Sequence, residues 1–174
     1  MAVDIMFYMG VAFLIAVLNP LGLTLVHHLQ GVSDRPTVGA KSSKVIKAGL
    51  DIFIGKAKRR NFDVVGIQID GERGVTPLIA AIESTGISVD VKGPGGHIHV
   101  VERKIRTIKE RARAIRNNLP FVMCRALIIL CVLFCVKMVN LIPSSNSGVA
   151  ASPFEKYSGR KLHAKLDLQV EFGT

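Results

Sequence analysis

The chain opens with VDIMFYM at residues 3–9, then Gly10, then VAFLIAVL at 11–18, NPLG at 19–22, and LTLVHHLQ at 23–30. Three apolar runs of seven or eight residues, rich in Val, Ile, Leu and Phe and split by turn residues, read as consecutive antiparallel strands. Hydrophobicity is near-continuous rather than alternating, which predicts strands covered on both faces. Everything downstream must therefore supply two layers that sandwich this sheet.

The next 110 residues have the rhythm to do so. Residues 32–41 are a polar connection, and Ser42 or Ser43 can cap a helix to about Arg60, weakened by Gly49 and Gly55. A strand at 63–69, a tight turn at 71–74, a short helix at 75–84 and a strand at 87–92 form a β-α-β crossover, hence parallel pairing. The glycine-rich 93–96 reads as a mobile loop. A long charged helix is expected over 100–117 and a hydrophobic helix over 121–142, opened by Leu119-Pro120. Residues 143–152 form a Ser/Asn/Gly linker, and the tail 153–174 is basic, then briefly strand-like at 168–172. The expected fold is α/β, a mixed sheet of three antiparallel strands followed by a parallel β-α-β, flanked by helices. Residues 1–143 make the core and 144–174 a linker and the start of a basic extension.

Composition sets the partner class. The 174 residues are 49% hydrophobic and 21% charged, enough for a packed core. The net charge of +10 favours a polyanion, either nucleic acid or an anionic membrane surface. The three cysteines, Cys124, Cys131 and Cys135, contain no CxxC pair, which excludes a disulfide scaffold and a structural zinc site. They read as buried thiols of a reducing compartment, the nucleus or cytoplasm. Two stretches raise the membrane question. Residues 5–18 are too short to span and follow no basic leader, and the uninterrupted apolar run 126–136 covers about half a bilayer. The second is read as a buried helix rather than an anchor.

Three acids stand out. Asp4 lies inside the first apolar strand with no basic neighbour in sequence. Such a buried carboxylate must be paired, protonated or coordinated. Asp70 ends a strand, where ligand sites of open α/β sheets gather, although an Asp-Gly turn explains it as well. Glu102 leads a stripe of cations, Arg106, Lys109, Arg113 and Arg116, beside the apolar stripe Val101, Ile105, Ile108, Ala112 and Ile115. The plain alternative is a solvated i,i+4 face. A stripe so one-signed suits a phosphate backbone. Gly93-Pro94-Gly95-Gly96 lacks the Gly-Lys-Ser/Thr ending of a phosphate loop, and no hydrolase elbow is present.

Asp4 in a first strand, Asp70 after a later one, and Glu102 in Glu-Arg-Lys-x-Arg-Thr-Ile-Lys-Glu resemble the Asp/Asp/Glu triad of retroviral-type integrases. The nearest resemblance is to the integrase core of copia-type LTR-retrotransposon Pol polyproteins. Ser152-Pro153-Phe154-Glu155 followed by Gly159-Arg160-Lys161 resembles the stretch after that core. The resemblance implies a ribonuclease H-like fold and DNA integration by two-metal phosphoryl transfer on DNA ends. Asp4, Asp70 and Glu102 would be both catalytic residues and ligands of two Mg²⁺ or Mn²⁺ ions. Arg103, Lys104, Arg106, Lys109, Arg113 and Arg116 would hold DNA. It further implies a homo-oligomer acting on element ends and target DNA, with no small-molecule cofactor. The chain departs from the pattern after Asp70, where Gly-Glu-Arg-Gly replaces Asn-Gly, and before Glu102, where His97-Ile98-His99-Val100 lacks the usual proline. The amino-terminal His/Cys domain is missing and His27-His28 cannot replace it. These departures are those of a fragment or an inactive copy. The rival readings are a decayed nucleic-acid-binding module and a small basic membrane-anchored protein.

Overall fold

The computed structural model describes residues 1–30, 42–71, 75–93, 98–143, 151–168 and 172. Strands β1 (Ala2–Tyr8), β2 (Val11–Leu18) and β3 (Leu23–Leu29) form an antiparallel meander. The β1–β2 turn is two residues long, with Met9 and Gly10 both at positive φ (47° and 75°), the twist a tight hairpin needs. Helix α1 (Ser43–Lys58) follows, its first turn capped by the Ser42 hydroxyl, which accepts the Val45 N–H. Then come β4 (Gly66–Asp70), a 3₁₀ turn (Thr76–Leu78), α2 (Ile79–Glu83) and β5 (Ser88–Lys92). Both β1–β4 and β4–β5 are parallel, giving the order β3-β2-β1-β4-β5. Helices α3 (His99–Asn118), α4 (Arg125–Leu141), α5 (Pro153–Ser158) and α6 (Ala164–Asp167) are the remaining elements among the described residues.

All eight residues of β2 are buried, because helices cover both faces of the sheet. Met6, Tyr8, Phe13 and Ile15 pack with Val101, Ile105 and Ile108 of α3 and Ile128 and Cys131 of α4. On the other face, Leu14 and Ala16 pack with Ile46, Leu50 and Phe53 of α1 and Ile82 of α2. Gly49 is what lets α1 lie close: a Cβ there would stand 2.8 Å from Leu14 Cδ2 and 3.3 Å from His27 Cδ2. A residue that weakens the helix by propensity is thus set by packing.

Several boundaries move from the sequence expectation. β4 begins at Gly66, because only from there does the chain reach the ladder with β1 and β5. The hydrophobic helix begins at Arg125, not 121. Leu119, held extended ahead of Pro120 (ψ 137°), ends α3, and Cys124 is still extended (ψ 167°). Cys124 is consequently exposed, contrary to the expectation of three buried thiols; Cys131 and Cys135 are buried. No described helix is long and apolar enough to cross a membrane. Leu168 follows a short helix rather than starting a strand. Residues 169–171, 72–74 and 94–97 and most of the expected linker, 144–150, lie outside the described residues.

The tail folds over the edge strand. Ser152 and Glu155 form a reciprocal capping box that starts α5. The helix rests on β3 and α4, and the Tyr157 hydroxyl donates to the Lys56 carbonyl of α1 at 2.8 Å. Arg160 then grips Asp167 through two bonds of 2.9 and 2.7 Å, while the His163 N–H donates to the same carboxylate.

Candidate active site

The site is set by the direction of two strands. β1 and β4 run parallel, with Ala2 opposite Gln68 and Val3 opposite Ile69. Asp4 and Asp70 are the next residue on each strand. Ala2 and Met6, which share Asp4's parity, pack in the layer of α3 and α4, while Ile67 and Ile69 pack in the layer of α1. Strand alternation therefore turns Asp4 and Asp70 to the α3 side of the sheet. Asp4 and Asp70 border one small recess with Ile5, Ile69 and Val75. Asp4 is half-buried, and its Oδ1 accepts the Ile5 N–H at 2.6 Å.

Helix α3 brings the third acid. Val101, Ile105, Ile108 and Ala112 are buried against the sheet, and Ile115 is partly buried beside them. The adjoining stripe thereby overhangs the end of β1. Asp4, Glu102, Ile105, Arg106, Lys109 and Arg113 line a recess of about 270 Å³. Asp4 thus borders both recesses, one shared with Asp70 and one with Glu102. Glu102 is 3.9 Å from His99 Nδ1. His97 lies outside the described residues.

The cations divide around the helix. Arg106, Lys109 and Arg113 share the recess with the two acids. Arg116 lies a turn further along, where its guanidinium reaches Met9 Sδ at the hairpin tip. Arg103 is exposed and lines neither recess. Lys104 sits about 200° round the helix from Glu102. It is half-buried, and burial, then the charge of Arg111, lowers its pKa. Its cation is therefore on the flank away from Asp4.

Hard carboxylate oxygens suit Mg²⁺ or Mn²⁺, so the donor chemistry fits. The three residues border shared recesses as two pairs, Asp4 with Asp70 and Asp4 with Glu102. Among the described residues no group of three His, Cys, Asp or Glu side chains could hold one ion.

The sequence reading missed two charged neighbours. Lys92 is the register partner of Asp70 on β5. Its ammonium pairs with Asp90 at 2.8 Å, and Asp90 also accepts from Gln68 Nε2 at 3.3 Å. The Lys92 ammonium, first as hydrogen-bond donor and then as charge, holds the Asp90 carboxyl below its ordinary pKa. The alternation within β5, Asp90 then Lys92, was the available signal.

The crystal structure of the catalytic core domain of BIV integrase superposes on this chain with a TM-score of 0.61, covering 91% of this chain and 92% of that one. The fold is that of a retroviral integrase core. It is a ribonuclease H-like α/β fold, and at 15% identity the likeness is one of architecture. No family model matches the sequence, and no curated protein matches it. The integrase-core fold puts β1 at the centre of the sheet, which is why Asp4 can face β4 and α3 together.

Proposed function

We propose that this chain is an integrase-like polynucleotidyl transferase core, of the kind found in copia-type retrotransposon Pol polyproteins, acting on DNA ends. The observation that carries the reading is the shared recess: Asp4 from the central strand and Glu102 from α3 meet there with Arg106, Lys109 and Arg113. An acid pair alone would repel a phosphodiester, and a cation stripe alone could only bind it. Together they suit phosphoryl transfer, which needs the phosphate held and its developing charge countered.

In this reading Asp4, Asp70 and Glu102 would hold two Mg²⁺ or Mn²⁺ ions, which when bound supply the charge that stabilises attacking and leaving oxygens. Arg106, Lys109 and Arg113 bind the phosphates flanking the reacting one and orient the strand. Asp4 is kept in place by its own backbone through the Ile5 N–H. The partners are element ends and target DNA, with the chain acting as a homo-oligomer. Incubating the protein with labelled duplex ends and Mn²⁺ tests the reading. End cleavage or strand transfer that Glu102→Gln abolishes is expected, and metal-independent or Glu102-independent cleavage would overturn it.

A second reading, a nucleic-acid-binding module without catalysis, is favoured because among the described residues no three ligating side chains are grouped to hold one ion. It predicts DNA affinity with no cleavage under any divalent ion.

A further inference from the structure

We infer that the end of α1 is a second polyanion-binding surface, fitted to a DNA duplex distinct from the one held at the α3 recess. The inference rests on the DNA-binding reading of α3.

Lys56, Lys58, Arg59 and Arg60 place four cations within five positions, and all four are exposed. The residue between them, Ala57, is buried and fixes this end of the helix to the core. The cluster is ordered by its neighbours. Arg59 Nε donates to the Gly55 carbonyl, the Arg60 guanidinium lies 5.9 Å over the Tyr157 ring, and Tyr157 hydrogen-bonds the Lys56 carbonyl. Cations in a last helical turn offset the helix dipole, which accounts for Lys56 and Lys58. Arg59 and Arg60 continue the run at and beyond the helix end.

Acids nearby do not neutralise it. The docked tail brings Glu155 and Asp167, but Glu155 is taken by the Ser152 and Leu162 N–H groups and Asp167 by Arg160 and His163. Asp51 is paired with Lys47. Asp63 lines a recess with Lys58, yet no ion pair joins them among the described residues.

Geometry makes this a separate site. α1 packs on one face of the sheet and α3 on the other. Their axes are separated by two layers of about 10 Å each. A duplex that follows the Arg106, Lys109 and Arg113 stripe lies along α3 on its own face of the sheet and does not cover the α1 face. One duplex at the α3 recess therefore leaves the α1 cluster for another.

The test uses the full chain, in complexes that sedimentation shows to hold a single copy, and two short duplexes of unrelated sequence, one carrying a donor fluorophore and one an acceptor. Energy transfer between them at low salt is expected with the unmodified chain. Lys58→Gln with Arg59→Gln, which leaves the Arg60–Tyr157 contact alone, should abolish the transfer while one duplex still binds. Arg106→Ala with Lys109→Ala should also abolish it, yet keep a duplex whose binding depends on Lys58 and Arg59. Transfer that survives Lys58→Gln/Arg59→Gln would overturn the inference. So would capture of phosphatidylserine vesicles through Lys58 and Arg59 by a chain that never holds two duplexes. A chain that binds no DNA defeats the DNA reading of both faces; one that holds a single duplex only through Arg106 and Lys109 defeats this inference alone.

Discussion

The side-chain amide of Asn140 on α4 closes both main-chain groups of Thr24 on β3. Its Nδ2 donates to the Thr24 carbonyl at 2.7 Å, and its Oδ1 accepts the Thr24 N–H at 2.8 Å. An amide here imitates the next strand of the sheet and stops an edge from recruiting one.

Replacing Asn140 with Leu keeps the branched outline of the side chain and removes both bonds. Two partly buried backbone groups would be left unmatched, at a cost of about 1–3 kcal/mol. Urea melts should show the midpoint fall with little change in slope, accompanied by concentration-dependent aggregation. An unchanged midpoint would mean that water replaces the amide fully.

Glu102→Gln separates chemistry from grip. Removing one negative charge from a recess lined by Arg106, Lys109 and Arg113 should leave DNA affinity unchanged or slightly higher. Cleavage should fall by at least about a hundredfold, the scale set by losing one transition-state charge contact. Gel-based end processing and filter binding on the same preparation read the two effects separately.

Arg106→Ala with Lys109→Ala should do the opposite. Arg106 is exposed and Lys109 half-buried, so stability should move by no more than about 0.5 kcal/mol. The log–log salt dependence of binding should flatten by roughly 0.9 for each lost phosphate contact. A titration series in potassium chloride measures it.

Thiol labelling reports the packing of α4. Cys124 is exposed, whereas Cys131 and Cys135 face the sheet. The Cys135 S–H donates to Cys131, and that bond together with burial pushes the Cys135 thiol up, so little thiolate exists there. A water-soluble thiol reagent should modify one cysteine quickly in the native chain and three after unfolding. Rapid labelling of all three would place α4 off the sheet.

The Arg160–Asp167 pair gives a pH signature. The guanidinium, then the His163 N–H, holds the Asp167 carboxyl below its ordinary range. Its stabilising effect is therefore complete above the unfolded value of about 4 and is lost as pH falls below it. Thermal melts between about pH 6 and pH 3 should show a flatter acid limb for Asp167→Asn than for the unmodified chain.

The first three strands were legible because turn residues bracket each apolar run, and the α3 stripes because a 3.6-residue period survives in a charged helix. Asp4 was conspicuous as a carboxylate in an apolar strand. The cations that share its recess, Arg106 to Arg113, lie about a hundred residues away, and no local pattern encodes that meeting. Gly49 was misweighed for the same reason: propensity sees a flaw in a helix, while the fold uses the missing methyl against Leu14. The start of α4 was misplaced because hydrophobicity continues through 121–124 while Pro120 and an extended Cys124 delay the turn. Ser152-Pro153-Phe154-Glu155 carried a capping-box signature that the tail's basic composition obscured.

The docking of α5 bears on how the gene could be trimmed for expression. A recombinant product stopped at the end of α4 would contain every described strand and every acid of the recess. It would nevertheless lose Pro153 from beside Gly22, the stacking of Tyr157 on Phe62, and the hydroxyl that holds Lys56. The damage would surface on α1 and at the rim of β3, far along the sequence from the cut. Cloning boundaries for this chain are better drawn beyond Asp167, where the Arg160 grip is closed.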